Sequence, residues 1–293
     1  MDGKCILALR PLARCELEGG SNGVLSKLLN GDCDLHSEGK LNERLIDYIL
    51  TGGFPEPLRR KTDRRRNQWY RNYIDTLVQR DIRDLARINN LDAMPKILQL
   101  VSAQSAQLLN MTHIAAPFQM NRQTIKSYFI LLQHIFLVDV LPAWHANRRK
   151  RLIKTPKVHL TDTGLASALL GINRNRLETD RDMLGHLLES FIYNELRRQA
   201  SWCDTAVQFY HFRDKDQYEV DIVIEQSDGG IVAVEVKAAA TVTGKDFKGL
   251  KRLQSMVGDH FIAGVVFYDG DMILPFGAGM FAMPVSVLWE KSQ

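Results

Sequence analysis

The chain has 293 residues, 45% of them hydrophobic, and a formal net charge of only +4. That length suggests two domains or three small ones with real cores, and the mild charge has to be read locally. The four cysteines Cys5, Cys15, Cys33 and Cys203 share no ligand-like spacing, so they suggest no disulfide framework or zinc site. The most apolar stretches, Tyr128 to Trp144 and Phe261 to Trp289, are broken by Gln133, His134, Asp139, Asp269 and Asp271. No membrane span or signal segment is read, and a cytoplasmic protein is expected.

The N-terminal region starts with a strand-like run, Cys5 to Leu9, followed by Arg10-Pro11-Leu12-Ala13-Arg14-Cys15-Glu16-Leu17. A helix is expected over Leu41 to Leu50. Gly52-Gly53-Phe54-Pro55-Glu56-Pro57 then ends it, because glycines terminate a helix and prolines stop it restarting. Both segments resemble parts of an AAA-type ATPase: the exit from its core strand, with Ala13 where Ser is usual, and the Gly-Gly-[Phe/Tyr]-Pro-Glu signature of its helical lid. No G-x-x-x-x-G-K-[ST] occurs, and Gly244-Lys245 lacks both the glycine cradle and the hydroxyl. The resemblance therefore implies an N-terminally truncated family member that does not bind ATP by the usual route. A basic run, Arg59 to Arg66, leads into a helix expected over Asn67 to Arg87. Within it Tyr73 and Asp81-Ile82-Arg83 resemble a connector of the same ATPases, although plain packing accounts for it.

Next come a helix over Leu91 to Leu109, a short second helix over Met111 to Ala116, a turn at Pro117 to Met120, and a third helix over Arg122 to Phe136 capped by Asn121. Ile125, Tyr128, Phe129, Leu132, Ile135 and Phe136 form its expected inward stripe. This is the order of a winged helix-turn-helix. Arg122, Gln123 and Lys126 then face outward where recognition helices meet DNA. Val138 to Trp144 and Lys157 to Leu160 would be wing strands, with Arg148, Arg149, Lys150 and Arg151 at the tip. A protein–protein module is the alternative reading.

The block Lys154-Thr155-Pro156-Lys157-Val158-His159-Leu160-Thr161-Asp162-Thr163-Gly164-Leu165 resembles one in the uncharacterised domain that follows these ATPase cores. His159 stands where that family usually has Tyr. From about residue 165 the elements read helix (Asp182 to Gln199), strand (Val207 to Arg213), strand (Tyr218 to Glu225), strand (Ile231 to Ala238), helix (Gly244 to Met256) and strand (Phe261 to Tyr268). The expected fold class is mixed α/β (α+β). A lid remnant would occupy residues 1–90, a winged helix 91–164 and an αβββαβ domain 165–293.

The two central strands form a hairpin around Ser227-Asp228-Gly229-Gly230, whose glycines supply positive φ. Pairing across it puts Asp221 opposite Glu235 or its neighbour, and strand alternation points Glu235 and Lys237 the same way. Carboxylates held together call for a cation, and oxygen ligands suit Mg²⁺ or Mn²⁺. The spacing D-x(13)-E-x-K resembles the core of the PD-(D/E)XK nucleases. That resemblance implies metal on Asp221 and Glu235 with help from Glu189, and Lys237 beside the attacking water. Helix phase puts Glu195 nearer the middle of the apolar stripe, either as a substitute for Glu189 or as a partner of Arg197 or Arg198. Charges keeping a sheet edge soluble are the plainer explanation. The functional expectation is a DNA-binding protein with a Mg²⁺-dependent nuclease-like domain. The alternatives are a non-catalytic DNA-binding or regulatory module, or an inert fragment of an ATPase. DNA is the expected partner, and the chain is compatible with an oligomer.

Overall fold

Two sheets, one of three strands and one of six, organise the protein in a computed structural model that describes residues 9–20, 23–37, 39–82 and 91–289. The mixed α/β class read from the sequence is the observed one. Most of the run expected as a strand at Cys5 to Leu9, and the end of the helix expected to reach Arg87, lie outside the described residues.

The small sheet has the order β1 (Gln107–Leu108), β3 (Lys157–Leu160), β2 (Val138–Leu141), all antiparallel. Its helices are Ala93–Ser102, Met111–Ala115 and Arg122–His134. Asn121 caps the third through Oδ1, which accepts from Gln123 N at 2.7 Å. Two boundaries differ from expectation. The first helix stops at Ser102, because the chain turns through Ala106 at φ 63° and enters β1. The third stops at His134, so Phe136 sits at φ 58° and turns half-exposed into solvent instead of joining the inward stripe. Ile125, Tyr128, Phe129 and Leu132 are buried as expected.

The large sheet has the order β4-β5-β6-β7-β9-β8. β4 (Val207–Arg213) pairs antiparallel with β5 (Glu219–Gln226), and β5 antiparallel with β6 (Ile231–Lys237). β7 (Phe261–Tyr268) and β9 (Met280–Pro284) continue parallel to β6, and β8 (Leu274–Gly277) closes the edge. Past Phe261–Tyr268, the last strand expected, the chain adds β8 and β9, and β9 is an inner strand. Its Pro284 stands at the strand end, where a missing N–H is tolerated. The hairpin turns at Gly229, φ 96°. Its ladder pairs Ile222 with Val234, which brings Asp221 beside Glu235.

Helix Arg181–Gln199, capped by Asp180, packs against β6. Helix Lys248–Val257 packs against β5 and β6. The early helix Val24–Leu29 also contacts β6 and β7, while Arg14–Glu18 meets the final turn Val285–Trp289. The beginning of the described chain is therefore part of the cover of the C-terminal sheet.

A carboxylate cluster bridged by a lysine from the small sheet

Three elements bring Glu189, Asp221 and Glu235 together. Glu189 comes from helix Arg181–Gln199, Asp221 from β5, and Glu235 from β6, with Lys237 two residues on along the same face. Lys237 Nζ donates to Glu235 Oε1 at 3.1 Å. Val236 N–H donates to Asp221 Oδ2 at 3.0 Å, which ties the two hairpin strands through a side chain. The four residues named from the sequence are thus neighbours.

A fifth residue completes the group. Lys157 Nζ lies 2.6 Å from Glu189 Oε1 and 3.0 Å from Asp221 Oδ1, so its ammonium bridges the two carboxylates. All four residues of β3 are buried. Alternation along that strand points Lys157 and His159 at helix Arg181–Gln199, while Val158 and Leu160 face the other way. His159 Nδ1 accordingly lies 3.0 Å from Ser190 Oγ, and its ring stacks on Tyr193 at 4.3 Å. The sequence held a signal for Lys157: a lysine inside an apolar strand is retained only with a buried partner.

The electrostatics follow from burial and this neighbour. Burial, then the Asp221 charge, pushes the Glu189 carboxyl well above the ordinary carboxylate range. The same two causes push Glu235 up to about 8. Burial would also raise Asp221, but the Lys157 ammonium and the Val236 N–H hold it below its ordinary value. Burial would lower Lys157, yet Asp221 and Glu189 raise it, so it stays charged.

Does the cluster fit the divalent ion implied by the nuclease resemblance? The donors are hard oxygens, and Glu235 Oε2 is buried without a hydrogen-bond partner. Against that, an ammonium already bridges Glu189 and Asp221. Among the described residues no three His, Cys, Asp or Glu side chains are grouped so as to hold one metal ion. As arranged, the cluster does not fit a resident divalent cation.

Glu195 has a different partner set. Its Oε1 accepts from Arg198 Nη1 at 2.7 Å and its Oε2 from Arg14 N at 2.7 Å. Arg198 also reaches Asp162 Oδ2 at 3.2 Å. Asp162 in turn accepts from Gly53 N (2.7 Å), Tyr70 Oη (3.0 Å) and Leu165 N (3.0 Å). The Gly-Gly-Phe-Pro-Glu segment, the Lys154 to Leu165 block and the long helix therefore meet in one buried polar network.

The basic residues divide into two groups. Arg122, Gln123 and Lys126 are exposed on the first turns of their helix, and Arg148, Arg149 and Lys150 are exposed on the short helix Arg148–Arg151 between β2 and β3. None of these five cations forms an ion pair among the described residues. Arg151 is turned inward. Its guanidinium forks onto Glu225 of β5, with Nη2 2.9 Å from Oε1, and its Nε donates to His145 O at 2.6 Å. It lies over the rings of Tyr210 and Trp144, at 4.8 and 5.3 Å. His211, near the motif in sequence, is buried with Nε2 3.1 Å from Thr155 O.

Comparison with known proteins agrees with the AAA-associated resemblance at a coarse level. Residues 42–176 match the family model described as Domain of unknown function (DUF8612). Residues 184–288 match Domain of unknown function (DUF4143), which is often found in AAA-ATPase-associated proteins. The Uncharacterized protein Rv2008c of Mycobacterium tuberculosis is 26% identical over 80% of this chain and 51% of its own. The Uncharacterized protein MJ1544 of Methanocaldococcus jannaschii is 21% identical over 79% and 51%. The chain thus spans about half the length of the curated relatives it matches. Among solved structures, a chain from the Thermococcus gammatolerans McrB AAA+ hexamers with bound McrC aligns at 9% identity. The alignment covers 64% of this chain and 45% of that one, with a TM-score of 0.25, too slight a likeness to argue from.

Proposed function

We propose that this chain is a non-catalytic DNA-binding module of an AAA-associated protein. Its small-sheet region acts as a winged helix, and its C-terminal region is a nuclease-like domain whose acidic centre is internally neutralised. The observation that carries the reading is the set of exposed, unpaired cations Arg122, Lys126, Arg148, Arg149 and Lys150, on two elements flanking one small sheet. Cations that cover no carboxylate are available to phosphates, and each phosphate neutralised releases counterions. Gln123 adds a side chain able to hydrogen-bond a base edge. Arg151 is assigned to structure, since Glu225 already holds it.

The test is fluorescence anisotropy with a labelled duplex across a salt series. Binding should weaken with salt, and replacing Arg148, Arg149 and Lys150 with Ala should flatten the slope of log K against log salt by roughly 2 to 3. No binding at low salt would end the reading.

A second reading is metal-dependent phosphodiester hydrolysis at Asp221, Glu235 and Lys237, with Glu189 beside them. The unpartnered Glu235 Oε2 favours it, since an orphaned buried acceptor is what a ligand would satisfy. It requires the Lys157 ammonium to leave. Cleavage of plasmid and linear DNA with Mg²⁺ or Mn²⁺, lost in Asp221→Ala, would support it; intact DNA under all these conditions would remove it.

A further inference from the structure

We propose that Lys157 is a built-in cation that closes a latent divalent-metal site: its ammonium, delivered from the small sheet, takes the place between Glu189 and Asp221 that a metal ion would need. This does not depend on the DNA-binding reading, because it concerns only the acidic cluster.

Three observations carry it. The first is the geometry already given: one Nζ atom within hydrogen-bond distance of oxygens from two different elements. Close carboxylates repel unless a cation sits among them, and here the cation is covalently part of the chain. The second is the anchoring of the segment around Lys157. The lysine pairs with Leu141 and Leu108 in the small sheet, and Leu109 N donates to Pro156 O at 2.8 Å. The connection between β2 and β3 is also fastened to the large sheet. Trp144 N donates to His211 O at 2.6 Å, His211 N to Pro142 O at 2.9 Å, Lys154 Nζ to Arg213 O at 2.9 Å, and Arg151 grips Glu225. Withdrawing the ammonium therefore means breaking contacts on both sheets rather than turning one exposed side chain. The third is the charge left behind. Without the Lys157 ammonium, Asp221 loses the cation that holds it ionised, and Glu189 Oε1 loses the same partner. Glu235 Oε2 already lacks a partner and would be a ready donor.

The experiment is a Mn²⁺ titration of the whole protein by calorimetry and water-proton relaxation. It uses wild type, Lys157→Met and the double variant Lys157→Met with Asp221→Asn. The expected result is no saturable Mn²⁺ binding in wild type, binding in Lys157→Met tighter by at least roughly tenfold, about 1.4 kcal/mol, and its loss in the double variant. Wild type binding Mn²⁺ as tightly as Lys157→Met would overturn the proposal, and so would a folded Lys157→Met that binds none. If Lys157→Met does not fold, ¹⁵N-lysine NMR of wild type decides. The slowly exchanging Lys157 ammonium signal should be unmoved by millimolar Mg²⁺; its displacement by Mg²⁺ would overturn the proposal. DNA cleavage plays no part in these readouts, so failure here is distinct from failure of the DNA-binding reading.

Discussion

Arg198 meets Asp162 at 3.2 Å in an interior from which both are sealed, with side chains only 4% and 0% exposed. Four groups donate to the Asp162 carboxyl oxygens: the Gly53 and Leu165 amides, the Tyr70 hydroxyl and the Arg198 guanidinium. Asp162→Asn keeps the shape but turns an NH₂ toward these donors. The expected loss of stability is about 3–5 kcal/mol, as for breaking a buried ion pair. Urea denaturation measures it, and an unchanged midpoint would show that the network contributes little.

Gly53 approaches Leu12 closely, and Leu12 N donates to Gly53 O at 2.8 Å. A Cβ at Gly53 would stand 2.2 Å from Leu12 O and 3.1 Å from Arg198 Nη1. Gly53→Ala is therefore expected to destabilise by about 1–3 kcal/mol, the usual range for overpacking. The change should appear as a lower thermal midpoint. A midpoint equal to wild type would mean the backbone yields without penalty.

Two neighbouring arginines should behave oppositely. Arg151→Ala leaves Glu225 half-covered and unpaired, which should lower stability by about 1–3 kcal/mol. Arg149→Ala, on an exposed and unpaired side chain, should leave stability within about 0.5 kcal/mol of wild type while weakening duplex binding. Equal stability effects for the two would refute this division of roles.

Stability should depend on pH through Glu235. Its carboxyl titrates near 8 in the folded chain because of burial and Asp221, but near its ordinary value when unfolded. Between those values the folded state holds the extra proton, so stability is greatest at the acidic end and falls as pH rises toward about 8. Glu235→Gln should flatten that decline and make the variant relatively more stable at pH 8 than at pH 5. A decline that persists unchanged in the variant would assign it to other groups.

His211 acts with the opposite sign. Burial, and then the Lys157 charge, lowers its pKa to about 4, so the folded state binds fewer protons than the unfolded one below the ordinary histidine value. Its contribution should be lost as pH falls from the ordinary value through 4. His211→Gln should lessen that acid-side loss, read from unfolding midpoints between pH 6.5 and 4; an identical acid profile would clear His211 of it.

The hairpin was legible because it is local. Alternation along Glu219 to Gln226, the Gly229 turn and the spacing from Asp221 to Glu235 fix a register within a few residues. Helix Arg181–Gln199 was legible in extent, though phase alone could not separate two buried glutamates. Glu189 faces β5 and β3, while Glu195, less than two turns on, faces Arg14 and Arg198. Lys157 was read as part of a wing strand and of the Lys154 to Leu165 block, and Arg151 as part of the wing tip, because their partners lie 32 to 74 residues away, on a helix and on the large sheet. Periodicity reports which face a residue occupies and says nothing of what stands opposite.

β3 serves two neighbours at once. Its backbone completes the small sheet, while its Lys157 side chain completes the charge balance beside the large one. A cut at residue 164, where sequence alone would divide the chain, separates the ammonium from its carboxylates. A recombinant piece starting there would face solvent with its anions uncovered and would scavenge cations from any buffer. Dissection would then manufacture the very affinity it was meant to measure.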